Sequence, residues 1–209
     1  MKKTLKWFIA FLVSCLLLNS CAPLMIGGVI AGGLTIADRR AKGVIADDHI
    51  MEVAIITQVR SKYPHTIDLN KISQVSLPSL KVTSYNNKIL LVGIVENERQ
   101  KNDIQQIAQS QKAAKKVYNF LDIQGERNVG DSTNDALISS KVRLSLMNPK
   151  GFSPNDVKIV TYGGNTYVFG LLTPTEQQNV SRQISIVPGV QKVVTLYEDY
   201  NYDTKKTNN

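Results

Sequence analysis

The sequence predicts an α+β protein built from two tandem α-β-β-α-β domains, each with two helices on one face of a small mixed sheet. The first observation is an internal repeat, because residues 80–95 align without a gap to residues 157–172. The second is a tight turn at the centre of each copy, Asn86-Asn87 and Gly163-Gly164, where residue types that tolerate positive φ separate two β-rich runs. The third is a pair of helical stretches that flank each copy.

In the first repeat, a helix is predicted over residues 47–61, with an acidic residue suited to capping at its start. The hairpin follows, and then a second helix over 96–112 and a closing strand over 115–123. Gly93 interrupts the second strand of the hairpin, which predicts a bulge or a close backbone approach. We interpret it as a packing site for a helix.

The second repeat follows the same order. Its helices are predicted over residues 132–147 and 174–186, and Pro174 suits the first turn of a helix. Its closing strand covers 190–198, and Gly170 has the same interpretation as the strand glycine of the first repeat. Two helices on one face of a small sheet bury an adequate core for about 70 residues.

The N-terminus is typical of a bacterial lipoprotein. Three lysines precede an apolar run over residues 7–18, which is shorter than the roughly 20 residues that span a membrane. The sequence Leu18-Asn19-Ser20-Cys21 then resembles the lipobox, in which the cysteine sulfur receives diacylglycerol and becomes residue one. Cys15 ends a similar but less favourable pattern. The same residues are also compatible with an uncleaved membrane anchor, or with a soluble secreted protein that has a chance cysteine.

These features divide the chain into six segments. Residues 21–46 are rich in glycine and are interpreted as a tether, although the spacing of Gly28 and Gly32 also suits the pairing of two helices. The predicted segments are a signal peptide over 1–20, the lipidated tether over 21–46, the first domain over 47–123, a linker over 124–131, the second domain over 132–200 and a disordered tail over 201–209.

The composition argues against several function classes. The net charge of +8 falls to +5 when the lysines of the signal peptide are removed, and it is too diffuse to favour nucleic acid. His49 and His65 have no ligand spacing with other donors, so we predict no metal site and no cofactor. No nucleophile motif or phosphate loop occurs, so we predict that the protein is not an enzyme.

The order of several short motifs resembles the dual BON-domain outer-membrane lipoprotein family. The stretches that carry the resemblance are Asp38-Arg39-Arg40, Asp47-Asp48, Val82-Thr83 with Leu90–Gly93, Val117–Asn119, Asn134-Asp135, Lys141–Arg143, Val157–Ile159, and Gly189-Val190 with Val193. The resemblance implies a non-enzymatic protein on the periplasmic face of the outer membrane that helps to preserve the barrier. It also implies that the first helix of the second domain binds anionic phospholipid, where the family has an exposed Trp and this chain has Leu137.

A helical projection of residues 132–147 gives this helix two faces. The face assigned to the core contains Ile138, Val142, Ser145 and Leu146. A second face carries an apolar pair beside a cation, which suits the boundary between headgroups and acyl chains. The predicted phospholipid-binding residues are Leu137, Ser140, Lys141, Arg143 and Leu144. On the residues alone, packing of the two leucines against the first domain or the linker is equally compatible with the pattern.

The first helix of the first repeat is apolar around more of its circumference, which predicts its burial between the two domains. Two functions remain in competition. One is an envelope-integrity lipoprotein whose partners are anionic phospholipids of the inner leaflet of the outer membrane. The other is an interaction scaffold for outer-membrane assembly or cell-division machinery.

Overall fold

The structure, a computed structural model, describes residues 38–64, 79–123, 129–148 and 151–201. The predicted signal peptide, Cys21, most of the tether and nearly all of the tail lie outside these residues. The described elements, in chain order, are α1 (Lys42–Lys62), β1 (Ser79–Tyr85), β2 (Lys88–Val95), α2 (Glu98–Gln109), β3 (Lys116–Ile123), α3 (Val129–Leu146), a short 3-10 turn (Pro154–Asp156), β4 (Val157–Tyr162), β5 (Asn165–Leu172), α4 (Pro174–Ser185) and β6 (Lys192–Asp199).

The two halves share one topology. In each three-stranded sheet the middle strand pairs antiparallel with the first strand and parallel with the third, giving the orders β1-β2-β3 and β4-β5-β6. Both hairpin turns use two residues with positive φ, Asn86 (53°) and Asn87 (65°) in the first half and Gly163 (57°) and Gly164 (75°) in the second. This is the backbone that a twisted hairpin requires. The predicted α+β class and the predicted turns are therefore confirmed.

Each half has its own apolar core between its helices and its sheet. Met51 and Ile55 of α1 pack with Ile104 of α2 over the inward side chains of the first sheet. In the second half, Val142 of α3 and Val180 of α4 do the same. The helices thus cover one face of each mixed sheet, as predicted.

A third apolar cluster joins the opposite faces of the two sheets. Its fully or nearly buried members come from β1 and β2 of one sheet and from β4, β5 and β6 of the other: Tyr85, Leu90, Val92, Val160, Tyr167, Phe169 and Leu196. The central strands β2 and β5 are consequently buried on both faces, which explains their nearly continuous apolar sequence.

The prediction that α1 is buried between the domains is wrong. Met51, Ile55 and Val59 of α1 lie in the core of their own domain, whereas Ile50 is 63% exposed and Val53 is also exposed. The reason is that the apolar surface joining the two halves comes from the sheets. Helix α1 therefore keeps an apolar outer side in contact with solvent.

The close backbone approach predicted at the strand glycine Gly93 is confirmed, but the interpretation of Gly93 and Gly170 as packing sites for a helix is wrong. A Cβ on Gly93, whose φ is +149°, would lie 1.9 Å from the carbonyl oxygen of Ser79 on the neighbouring strand β1. A Cβ on Gly170 would meet the side chain of Leu172 and the carbonyl oxygen of Asp156. Both glycines allow a close approach of β-strand or turn backbone, and neither is a packing site for a helix.

Two helices begin earlier than predicted, since α1 starts at Lys42 and α3 at Val129. The last residues of the predicted tether are therefore part of the folded body. Among the described residues, every helix is too short or too polar to qualify as a membrane-spanning segment.

Candidate functional site

Helix α3 has two apolar surfaces because its hydrophobic residues follow two spacings. Ile138, Val142 and Leu146 are four residues apart and lie in the core of the second domain. Leu137 and Leu144 are seven residues apart, which places them within about 20° of each other at about 100° per residue. They are 57% and 66% exposed. Packing of these two leucines against the first domain is thus not observed.

The structure places four of the five predicted phospholipid-binding residues on one side of α3. Lys141 lies four residues after Leu137 and three before Leu144, and it is exposed. Ser140 is exposed on the same side, and its hydroxyl donates to the carbonyl of Ala136, 2.9 Å away, within the helix. Arg143 is exposed but lies about 120° around the helix from Leu137, so it lies next to that side of the helix.

Sequence reasoning missed two exposed apolar residues that directly follow α3 and α4. Met147 follows α3, three residues after Leu144, and Ile186 follows α4; both are more exposed than the leucines. Gln183 of α4 donates through Nε2 to the carbonyl oxygens of Ser145 and, at 3.1 Å, of Asn148. The end of α4 therefore runs beside α3. Spacing could have found Met147, whereas Ile186 depends on this helix packing. We call the exposed apolar side chains of Leu137, Leu144 and Met147, which lie on α3 or directly after it, the outer strip of α3.

A charged segment at residues 38–40, which we call the strap, ties the N-terminal end of the folded body to both domains. Arg39 makes a bidentate pair with Glu176, in which Nη1 and Nη2 each lie 2.7 Å from a carboxylate oxygen. Its Nε lies 3.1 Å from Asp156, and its Nη1 donates to the carbonyl of Leu171 at 2.9 Å. Arg39 thus connects the strap to the second domain.

Arg40 connects the strap to the first domain. Its Nη1 lies 2.9 Å from Asp48 of α1, its Nη2 lies 2.7 Å from Asp38, and its guanidinium carbon lies 4.2 Å from the centroid of the Tyr85 ring. The Tyr85 hydroxyl in turn donates to the carbonyl of Asp156, 2.8 Å away, in the second domain. Adjacent arginines therefore hold opposite sides of the domain junction.

The carboxyl groups bound by Arg39 respond to two opposing effects. The hydrogen bonds from Arg39 lower the pKa of Glu176, because they stabilise its charged form more than partial burial disfavours it. Burial raises the pKa of Asp156, and the charge of Arg39 offsets this only in part. Arg39, Asp156 and Glu176 therefore form a buried ionic site, in which Arg39 is the cation that stabilises the two carboxylates.

An aspartate on the first helix of each domain caps the hairpin turn of the same domain. Asp48 accepts hydrogen bonds from the backbone amides of Asn86 and Asn87, both at 2.8 Å. Asp135 accepts from the amides of Gly163 and Gly164, at 2.8 and 2.9 Å. The two carboxylates occupy equivalent positions in the repeat and fix each helix to its hairpin.

The described residues contain no group of His, Cys, Asp and Glu side chains arranged to hold a metal ion. The arrangement offers an exposed apolar and cationic surface on α3.

Comparison with known proteins is consistent with this architecture. Residues 54–125 match the model of the BON domain. These residues form a BON domain. The chain is similar to the outer membrane lipoprotein DolP of Haemophilus influenzae, with 23% identity over 93% of this chain and 96% of that protein. It is also similar to the 21 kDa hemolysin of Actinobacillus pleuropneumoniae, with 23% identity over 76% of this chain and 77% of the relative.

The matched BON region includes the C-terminal part of α1, residues 54–62, together with α2 and the whole first sheet. The second half lies outside that match, but its strand order and hairpin geometry are the same. A solved structure of CdsD, a structural protein of the type III secretion system of Chlamydia trachomatis, aligns over 77% of this chain and 97% of its own length. Its identity is 12% and its TM-score is 0.29, too low to establish a shared overall fold.

Proposed function

We propose that this BON-domain protein is a non-enzymatic, lipid-anchored lipoprotein of the outer membrane that faces the periplasm. In this proposal its second BON domain binds anionic phospholipid of the inner leaflet through the outer strip of α3, and the protein thereby supports outer-membrane integrity. The similarity to DolP, an outer membrane lipoprotein by name, supports the location. The anchor is lipid on Cys21, after removal of residues 1–20.

The proposed domain organisation follows the predicted segments with one change. The first and second BON domains occupy about residues 47–123 and 132–200, with a linker between them and a polar tail after them. The strap and the first turn of α1 belong to the folded body, so we propose that the tether ends before Asp38.

The exposure of the outer strip is the observation that carries the proposal. Fully burying a leucine or methionine side chain contributes about 1.5–3 kcal/mol, and these three side chains are more than half exposed. Their insertion at the headgroup boundary therefore provides roughly 3–5 kcal/mol, and Lys141 adds about 1 kcal/mol on an anionic surface. Such a contact has a dissociation constant near 0.1–1 mM. It becomes effective because the anchor holds the helix close to the membrane.

The test is flotation of a non-lipidated chain, residues 22–209, with vesicles that contain phosphatidylglycerol. Leu137→Glu removes apolar area and adds a negative charge, so we expect at least about a tenfold loss of binding. Lys141→Gln should weaken binding about fivefold and should reduce its dependence on salt.

Ile50→Glu is the matched control, because Ile50 is a similarly exposed aliphatic residue on the first helix of the other domain. This variant should bind vesicles like the wild type. Thermal unfolding of all three variants should be unchanged, since none of the side chains lies in a core. Unchanged vesicle binding by the Leu137→Glu chain would overturn the proposal.

A second candidate function is an interaction scaffold for outer-membrane assembly or division proteins. The exposed apolar side chains of Ile50 and Val53 on α1 favour it, because they form a further surface on the domain that does not carry the outer strip. Loss of barrier function in cells that express Ile50→Glu, with vesicle binding intact, would support the scaffold. Loss of barrier function in cells that express Leu137→Glu, but not in cells that express Ile50→Glu, would support lipid binding.

A further inference from the structure

The C-terminal ends of α3 and α4 lie against each other in the second domain. Gln183, in the last turn of α4, donates through Nε2 to the carbonyl oxygens of Ser145 and Asn148, the latter at 3.1 Å. The amide of Asn148 donates to the carbonyl of Ser145 at 3.3 Å, so the helical path of α3 continues as far as this residue. The side of α3 that carries Asn148 therefore faces the end of α4.

This side of α3 is also the side that carries the exposed leucines. At about 100° per residue, Leu137 and Lys141 each lie within about 20° of Asn148 around the helix axis, one on either side of it. Leu144 lies about 40° from Asn148, in the same direction as Leu137. The exposed leucines and the lysine between them thus lie on the flank of α3 that borders α4.

On α4, the matching side carries Ile186. This residue directly follows the helix and keeps a helical backbone, with φ −91° and ψ 0°. It lies three residues after Gln183, which is about 60° around the axis, whereas the buried Ile184 lies about 100° from Gln183 in the other direction. Ile186 is therefore directed outward beside α3. It is 76% exposed, more than any other large apolar residue that the structure describes.

Cations accompany the apolar side chains at this end of both helices. Arg182 lies four residues before Ile186, about 40° around α4, and it is exposed like Lys141 and Arg143 of α3. The carboxylates of the two helices lie in the first or second helical turn, at Asp131, Asp135 and Glu176. The charged side chains in the C-terminal halves of α3 and α4 are thus all positive. An apolar surface bordered by cations complements an anionic bilayer.

We propose that the outer strip of α3 and the end of α4 form one membrane-binding surface for anionic phospholipid. Ile186 inserts next to the outer strip at the boundary between headgroups and acyl chains, and Arg182 binds the lipid phosphate. A guanidinium group suits this role because it donates two parallel N–H bonds to two phosphate oxygens. The inference rests on the proposed function, since it extends the α3 contact to a second helix. Contact through two helices fixes the orientation of the domain, which a single helix leaves free to roll about its axis.

Insertion is measured with a fluorescent label, because residues 21–209 contain no cysteine other than Cys21. The chain of residues 21–209 with Cys21→Ser receives one new cysteine in each of three variants, Leu137→Cys, Ile186→Cys and Ile50→Cys, and each cysteine is labelled with bimane. With phosphatidylglycerol vesicles, the emission of the labels at residues 137 and 186 should shift to shorter wavelength. The label at residue 50, an equally exposed position on the first domain, should not respond.

Binding is measured by flotation of the Cys21→Ser chain with the same vesicles. Ile186→Glu should weaken binding at least about tenfold, because it removes an inserted side chain and adds a negative charge. Arg182→Gln should weaken binding about fivefold, the contribution of one cation at an anionic surface. Arg60→Gln is the matched control, because Arg60 is an exposed arginine in the last turn of α1. This control should bind like the wild type, and thermal unfolding of all these variants should be unchanged.

The labels separate this inference from the proposed function. If the label at residue 137 responds and the label at residue 186 does not, the inference fails and the proposed function stands. If only the label at residue 186 responds, the contact through α3 fails and the contact through α4 stands. If neither responds and the wild type does not float, both fail. Loss of barrier function in cells that express Ile186→Glu, with vesicle binding unchanged, would overturn the inference and assign the end of α4 to a protein partner.

Discussion

Replacing Arg39 with methionine tests whether the strap holds the second domain. Methionine keeps much of the aliphatic length of arginine and removes the guanidinium group. The variant loses the bidentate pair with Glu176, the contact with Asp156 and the bond to the Leu171 carbonyl. It also loses the stacking of the guanidinium carbon 4.4 Å from the centroid of the Tyr200 ring. The prediction concerns the free energy of unfolding of the non-lipidated chain.

The expected loss is about 3–5 kcal/mol, the range for removing one partner of a buried ion pair. The side chain of Arg39 is 13% exposed, and those of Asp156 and Glu176 are less exposed still. Two carboxylates would therefore remain buried without their cation. Replacing them as well, in the triple variant Arg39→Met, Asp156→Asn and Glu176→Gln, should restore part of the loss because no buried charge is left unpaired.

The loss should also depend on pH in a defined direction. Burial raises the pKa of Asp156 from its ordinary 3.8, and the charge of Arg39 opposes this rise in part. Without Arg39, the pKa of Asp156 should therefore be higher still. A carboxyl group with a raised pKa in the folded state binds its proton more tightly there, so it stabilises the fold as the pH falls. In the wild type, the pKa of Glu176 is lowered from its ordinary 4.5, so the stability that this group contributes is lost as the pH falls below that value. The difference between variant and wild type should therefore shrink as the pH falls from 7 towards 4.

The assay is urea denaturation followed by circular dichroism at both pH values. Lys62→Met is the matched control, because the Lys62–Asp103 pair is equally short at 2.7 Å but Lys62 is 50% exposed. Exposed pairs contribute about 0–1 kcal/mol, so this control should unfold nearly like the wild type. A loss below about 1 kcal/mol for Arg39→Met would refute the reasoning, since the strap would then behave like a surface contact.

Two further substitutions test the backbone and the turn cap by the same denaturation assay. Gly93→Ala should destabilise the fold by more than about 2 kcal/mol, because its Cβ would overlap the Ser79 carbonyl at a positive φ. Gly170→Ala should destabilise the fold less. Equal losses of stability in the two variants would contradict this explanation. Asp48→Ala should lower the free energy of unfolding by about 3 kcal/mol or more, because it removes a buried carboxylate that accepts several hydrogen bonds. The control His49→Ala, at an exposed position, should change the free energy of unfolding by no more than about 0.5 kcal/mol.

The repeat and its hairpins could be predicted from sequence because their signals are local. Residues that accept positive φ stand at the same place in two copies, and Asn86 and Gly163 have the expected backbone. Leu137 and Leu144 of the outer strip were predictable for a similar reason, since their seven-residue spacing is set by helix geometry alone.

The joining of the domains could not be predicted, because it depends on contacts between distant parts of the chain. The apolar runs of β2 and β5 indicate burial on both faces, but they do not indicate which surface covers the second face. Arg39 lies 137 residues from Glu176 along the chain, so its short polar segment has the composition of a linker.

The strap also determines how a mechanical load would enter the protein. If Cys21 is lipidated as proposed, tension from the membrane enters the described part of the chain at residues 38–40. Arg39 and Arg40 are neighbours on one backbone and hold different domains, so the force divides between two independent attachments. The domains are then pulled together and are not peeled apart one at a time. The anchored protein should therefore resist extraction forces that would unravel a body attached through a single terminal helix.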